Sequence, residues 1–266
     1  MNSSFSVYTF FFLFLIGSTL LVNTGCGPKH KGNITLPQQD TSEDLTKNFN
    51  PEKAAKFNLE LGLAYLESHQ PARGKIKLQR ALELAPFLPE VHLAFGRYYE
   101  SIDETDEAEK SYLKALKLNK NWAVSQNLYG AFLCRQAKYD KANRAFEIAL
   151  QDKTYPESAS ILENAGLCAL EAGKKNKAKA YFEKAVRQDI HRANSLLELA
   201  YMHYEEKNSS VAWQLYNQYL MVANQTPRSL YLGVKLARIF HYQDKEASYL
   251  LLLKNEYADS PEYKKL

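Results

Sequence analysis

Residues 95–115 read FGRYYESIDETDEAEKSYLKA, and residues 129–149 read YGAFLCRQAKYDKANRAFEIA, 34 positions further along the chain. When the two stretches are aligned at that spacing, they share a glycine, an aromatic residue 16 positions later and an alanine three positions after that. The same pattern begins one period earlier at Gly62, with Leu78 in place of the aromatic residue. A pattern that recurs at this fixed period predicts two-helix units stacked into an array.

The period and the order of small and aromatic residues resemble the tetratricopeptide repeat. This resemblance implies an all-α fold, a superhelix or α-solenoid of about six helix-turn-helix repeats. A fourth repeat follows with Gly166, two residues late, because the polar stretch 151–158 lengthens the preceding connection. The fifth and sixth repeats keep less of the pattern, as terminal repeats often do. We expect the repeat domain to span residues 51–266, with repeats at about 55–88, 89–122, 123–158, 159–192, 193–226 and 227–260.

Composition and motifs argue against catalysis and against nucleic acid as a partner. The 266 residues carry 34 basic and 30 acidic side chains, a net charge of +4, whereas nucleic-acid binding usually requires a strongly basic face. The sequence contains no phosphate-binding, nucleophile-elbow or zinc-protease motif, and its six histidines are scattered. We therefore expect no enzyme activity, no cofactor, no metal site and no small-molecule substrate. An array of this kind offers a concave surface to a protein partner.

The N-terminal residues have a different composition from the repeats. Residues 8–22 (YTFFFLFLIGSTLLV) form an uncharged run whose length suits a signal peptide better than a bilayer span. The run ends in Asn23-Thr24-Gly25-Cys26, which resembles a bacterial lipobox and implies acylation of Cys26, with chains such as palmitate. We predict a signal peptide at 1–25 and a flexible tether at 26–50. An ordinary cleaved signal peptide and a retained membrane anchor are the alternatives.

The inner face of the superhelix is the predicted binding surface. The tetratricopeptide resemblance places one side of each first helix on that face, including an apolar stripe of three leucines in the first repeat. A stripe of this kind suggests a site for an amphipathic helix or an apolar strand, or else packing against a neighbouring helix. The candidate partner-binding residues are Lys56, Leu59, Leu63, Leu66, Leu93 and Arg97.

The fifth repeat contributes Leu197, Tyr201 and Tyr204 at the matching positions. These side chains either line the groove or pack in the core. The clamps that bind peptide carboxylates in other tetratricopeptide proteins use several Lys, Arg and Asn side chains. This chain offers only poorly aligned candidates for such a clamp, and we do not expect one: Lys56, Arg97, Asn127 and Arg135.

Two cysteines, Cys134 and Cys168, remain once Cys26 is assigned to lipid. They are 34 residues apart on the first helices of adjacent repeats. A disulfide between them is sterically possible in an oxidising compartment, and two buried free thiols are the alternative.

Two segments give the chain a more specific resemblance. Residues 127–150 (NLYGAFLCRQAKYDKANRAFEIAL) and 155–186 (YPESASILENAGLCALEAGKKNKAKAYFEKAV) are similar to the PilF/PilW family of type IV pilus biogenesis lipoproteins. The resemblance implies a pilotin, a non-catalytic protein that is anchored by lipid to the periplasmic face of the outer membrane. It also implies that the partner is the pilus secretin, whose localisation and assembly into multimers the protein promotes. The alternative is a general envelope scaffold for another machine, such as outer-membrane protein assembly or cell-wall synthesis.

Overall fold

The computed structural model describes residues 49–266. The predicted signal peptide, Cys26 and all but the last two residues of the predicted tether lie outside the described residues. Twelve α-helices and one short 3₁₀ helix at Tyr263–Lys265 make up the described part of the chain. The α-helices are α1 Pro51–Glu67, α2 Pro71–Leu84, α3 Pro89–Glu100, α4 Thr105–Leu118, α5 Ala123–Arg135, α6 Tyr139–Ala149, α7 Ser158–Glu171, α8 Lys175–Gln188, α9 Ala193–Glu205, α10 Ser209–Val222, α11 Pro227–Ile239 and α12 Gln243–Glu256.

Several helices start where the sequence places capping residues. Proline occupies the first helical position of α1, α2, α3 and α11, where its missing N–H would have had no partner. Before α1, the Asn50 side chain accepts a hydrogen bond from the Lys53 N–H. Before α11, Thr226 and Ser229 form a reciprocal capping box. Local sequence therefore sets the start of these helices.

Consecutive helices form six antiparallel pairs. In most pairs the two helices approach each other closely at a small residue in the first helix. A β-carbon placed on Gly96 in α3 would lie 2.7 Å from the Tyr112 ring in α4. One placed on Gly166 in α7 would lie 2.5 Å from the Phe182 ring in α8. Both rings are buried and fill the space that the absent side chain leaves. The predicted fold class, an all-α tetratricopeptide superhelix of about six repeats, is confirmed.

The pairs are stacked by burying the first helix of one pair against the second helix of the pair before it. In the N-terminal core, Leu78 and Ala81 of α2 join Val91, Phe95 and Tyr98 of α3. Two further clusters of buried side chains continue this arrangement through the centre and the C-terminal part. At the C-terminal end the residues after α12 pack on the last cluster and cover it: Tyr257, Tyr263 and Leu266.

Each pair turns through one residue in the left-handed backbone region. These residues are His69, Asp103, Ala137, Gly173, Lys207 and His241, with φ between 54° and 72°. Only one of the six is glycine, although glycine adopts this conformation without a steric penalty. The left-handed conformation costs roughly 1–2 kcal/mol for a residue with a β-carbon, so five of the six turns contain backbone strain.

We expect Ala137→Gly to raise the free energy of unfolding by about 0.5–1 kcal/mol, because it removes the β-carbon from a left-handed residue. Gly173→Ala is the reverse change and should lower the free energy of unfolding by about 1 kcal/mol. Nothing lies close to an added β-carbon at Gly173, so the only cost is that of a left-handed backbone in a residue with a side chain. Urea denaturation measures both. Changes of the same sign in the two variants would contradict the assignment of strain to these turns.

Candidate functional site

The predicted groove residues of α1 differ in how far they are exposed. Lys56 is exposed and its Nζ lies 2.7 Å from Glu52 on the same helix. Leu59 is only 7% exposed and belongs to the N-terminal core. Leu63 and Leu66 are half-buried against that core, and Leu66 lies so close to Gly74 that a β-carbon there would be 2.9 Å away. The leucine stripe therefore belongs to the N-terminal core, and Leu66 packs against α2.

The two predicted groove residues of α3 divide in the same way. Leu93 is 4% exposed and joins the central core. The Arg97 guanidinium remains partly exposed and lies 3.5 Å from Glu67 of α1. The prediction that Leu59 and Leu93 form a surface for a partner is therefore not supported by their burial. Both side chains lie in the core that forms when adjacent helix pairs stack.

Polar side chains connect adjacent repeats along the predicted inner face. Arg135 of α5 lies 2.5 Å from Glu100 of α3, and Asn164 of α7 donates to Asn127 of α5 at 3.0 Å. Together with Lys56 and Arg97, these contacts engage all four side chains weighed for a carboxylate clamp. Their partners within the chain disfavour such a clamp.

The fifth repeat also buries part of its predicted groove. Leu197 is in the C-terminal core, and Tyr201 and Tyr204 are half-buried against it. The Tyr201 hydroxyl donates to the Arg228 carbonyl, and the Arg228 guanidinium lies 4.4 Å from the Tyr201 ring centroid while it pairs with Glu198. Burial is the main cause that raises the pKa of Tyr201. The polar and charged groups of Tyr201, Arg228 and Glu198 therefore have their partners within the chain.

Helix α1 departs from the repeat pattern on the face that a preceding repeat would cover. Phe57 is 66% exposed, Ala64 is exposed and Leu61 is half-buried. In the five later repeats, every residue at the position of Phe57 is 0% exposed. Those residues are Val91, Ser125, Ile161, Ser195 and Ser229. The positions of Ala64 are likewise buried in the later repeats, for example Tyr98 and Phe132.

Terminal repeats usually present a polar outer face to water, and this one presents an apolar face. We call Phe57, Leu61 and Ala64 the first-helix face. Reasoning from the sequence missed these residues because it used the positions that line a groove. The signal that could have found them is the repeat register: Phe57 occupies a core position in the first repeat of the described residues.

Cys134 and Cys168 are brought together by the neighbouring helices α5 and α7. Their Cα atoms are 5.7 Å apart, and the structure joins the sulfur atoms in a disulfide. Both residues are buried. The bridge connects the third repeat to the fourth across the longest connection between pairs, residues 150–157.

We expect Cys134→Ala combined with Cys168→Ala to lower the free energy of unfolding by about 3–4 kcal/mol. The bridge closes a loop of 34 residues in the unfolded chain, and its removal restores that entropy. Denaturant unfolding of the oxidised protein measures the loss, and reductant should produce a similar loss only in the unmutated protein. Two thiols that react freely with alkylating reagent in unfolded, non-reduced protein would contradict the bridge.

Within residues 49–266, no group of three or more His, Cys, Asp or Glu side chains could hold a metal ion. In the same range, no helix is both long and apolar enough to span a membrane.

The fold and these surfaces define a tetratricopeptide-repeat protein, and residues 89–121 and 133–193 match that repeat family. The type IV pilus assembly protein PilF of Pseudomonas aeruginosa is 36% identical over 212 residues, which cover 80% of this chain and 84% of that protein. An uncharacterised protein of Haemophilus influenzae is 34% identical over 152 residues, which cover 57% of this chain and 85% of that protein. The chain belongs to the PilF family of type IV pilus biogenesis proteins.

Solved structures agree with this assignment. The structure of Pseudomonas aeruginosa PilF matches with a TM-score of 0.75 and 35% identity, over 81% of this chain and 97% of that one. The crystal structure of PilW, described as a widely conserved type IV pilus biogenesis factor, matches with a TM-score of 0.68 over 79% of this chain and 97% of that one. At 23% identity, the PilW match shows the shared fold alone. The family recognised in the sequence is therefore confirmed.

Proposed function

We propose that this protein is an outer-membrane lipoprotein on the periplasmic face that binds the type IV pilus secretin and promotes its localisation and multimer assembly. Membership of the PilF family supports a role in pilus biogenesis, since the relative from Pseudomonas aeruginosa is named as a pilus assembly protein. The lipobox-like sequence at Cys26 supports the anchor. The secretin and the membrane are the partners of this proposal, and it involves no chemistry on a substrate.

The observation that carries the proposal is the uncovered first-helix face. An aromatic ring that is 66% exposed, beside Leu61 and Ala64 on successive turns, is apolar area that remains in water unless a partner covers it. The later repeats show what fits there, because the preceding repeat covers the same face of each of their first helices. A helical or extended apolar segment of the secretin can take the place of that helix.

The anchor and the face act together in this proposal. A binder held at the membrane raises the local concentration of its client there. An unassembled secretin subunit would present unpaired strand edges, which pair wrongly unless they are protected. A non-catalytic array can perform both tasks.

We expect Phe57→Glu to weaken secretin binding about 30-fold or more, because a buried aromatic anchor contributes about 2 kcal/mol or more to an interface. The change should leave the fold intact, since Phe57 is exposed in the isolated chain. Titration calorimetry with purified secretin domains measures the affinity. Ile190→Glu is the matched control, because Ile190 is 65% exposed but lies in the connection between α8 and α9.

Equal binding by the Phe57 and Ile190 variants would remove the first-helix face from the proposal. Deleting the gene and recovering normal secretin multimers in the outer membrane would contradict the function itself. The same proposal fails in favour of the general envelope scaffold if the protein captures barrel-assembly or cell-wall enzymes from envelope extracts and no secretin.

We expect Cys26→Ala to give a folded protein that a high-salt wash removes from the outer membrane, because acyl chains supply the proposed anchor and salt screens weaker electrostatic contacts with lipid. Membrane fractionation followed by immunoblotting measures its location, and circular dichroism confirms the helical fold. A variant that stays in the outer-membrane fraction would show that another element anchors the protein.

A further inference from the structure

The first hairpin has a second unusual surface, on the outer side of α2. Arg73, Ile76, Lys77 and Arg80 follow one another at spacings of three, one and three residues, which places them on one stripe of the helix. Ile76 in the middle of this stripe is 63% exposed. We call these four residues the α2 stripe.

The repeat register shows that an exposed isoleucine is exceptional at this position. The second helices of the later pairs place Lys110, Arg144, Ala180, Gln214 and Ser248 there. A second large apolar side chain, Phe87, lies three residues after the end of α2 and is largely exposed. At that register the later repeats carry Asn121, Glu157, His191 and Gln225. The first repeat thus exposes apolar side chains where the other repeats present polar or small residues.

The charge on α2 is also left uncompensated. The helix carries four basic residues and one acidic residue, a net charge of +3. Helix α8 is more basic, with five basic residues and one acidic residue, but Lys175, Lys177 and Lys179 each lie within 3.6 Å of a glutamate on a neighbouring repeat. On α2, among the described residues, only Arg80 lies beside a carboxylate, that of Glu83 on the same helix.

We propose that the α2 stripe and Phe87 form a docking surface for an anionic lipid bilayer. A helix that lies on a membrane places apolar side chains among the headgroups, and lysine and arginine beside them meet the lipid phosphates. The α2 stripe has this composition, its residues Arg73, Ile76 and Arg80 are exposed, and its positive charge complements anionic lipid. An acidic polypeptide is the other partner that the charge would allow, and the experiment below separates the two.

The position of the hairpin in the chain supports a lipid surface. Residues 27–48 separate Cys26 from the described domain, so an extended connection reaches at most about 75 Å. If Cys26 is acylated, as proposed above, the first hairpin is the part of the array that the anchor holds nearest to lipid. The α2 stripe would then bring the outer side of that hairpin against the membrane.

The test uses residues 27–266, which contain the whole described domain and lack Cys26, so that acylation cannot contribute. Sedimentation with vesicles of phosphatidylcholine, with and without about a third of the anionic lipid phosphatidylglycerol, measures binding. We expect binding to the anionic vesicles only, and loss of that binding when salt screens the charges.

Arg73→Glu with Arg80→Glu should lower the partition coefficient by at least about tenfold, since each basic side chain near an anionic surface strengthens binding roughly fivefold. Lys184→Glu with Arg187→Glu on α8 is the matched control, because both pairs change the net charge equally at exposed positions. Ile76→Ser should also weaken binding, whereas Leu251→Ser on α12, at a comparable exposure, should not.

Equal losses in the α2 and α8 variants would overturn the proposal, because binding would then follow net charge alone. Equal sedimentation with neutral and anionic vesicles would overturn it as well, as would binding to polyglutamate without binding to anionic vesicles. None of these outcomes depends on the secretin. The proposal of a lipid-docking surface can therefore be wrong while the proposed function is right, and the proposed function can be wrong while the lipid-docking surface is right.

Discussion

The helix pairs of this protein depend on one steric relation, the contact between a small residue on the first helix and a ring or leucine on the second. At Gly96 and Gly166 the partner ring occupies the volume of the absent side chain, and this lets the two backbones approach. The pairs become rigid units as a result, since the ring has no other space to enter. Because the contact recurs in most pairs, it also defines which positions of the repeats are equivalent. The exposure of a side chain can then be compared with that of its equivalents in the other repeats.

The sequence predicted the fold because the information for it is local and repeated. Glycine, ring and alanine recur within each hairpin, so the pairing of helices could be predicted without knowledge of distant contacts. The binding residues could not be predicted in the same way. Leu59 and Leu93 occupy positions that line a groove in the general repeat, but the stacking of adjacent pairs buries them here. Burial between repeats is a property of the assembled array rather than of one repeat's pattern.

The two ends of the array differ physically. After α12 the chain continues into Tyr257, Tyr263 and Leu266, which pack on the last core cluster and cover it. At the other end, Phe57 occupies a core position and remains largely in water. A partner that covered this ring would bury apolar surface, just as the stacking of adjacent repeats does. The proposed binding of a partner would therefore rest on the same burial of apolar surface that stabilises the fold.

Both proposed surfaces belong to the first hairpin but use different helices, and this separation has a mechanical consequence. If α2 rests on lipid through cations and Ile76, the first-helix face on α1 is held at a fixed height beside the membrane. A client bound there would lose less orientational freedom in its next encounter than a client on a freely moving tether. The remaining five repeats would be held together with this hairpin, since buried side chains join each pair to the next. Lipid contact and partner contact would thereby favour one another without any change of fold.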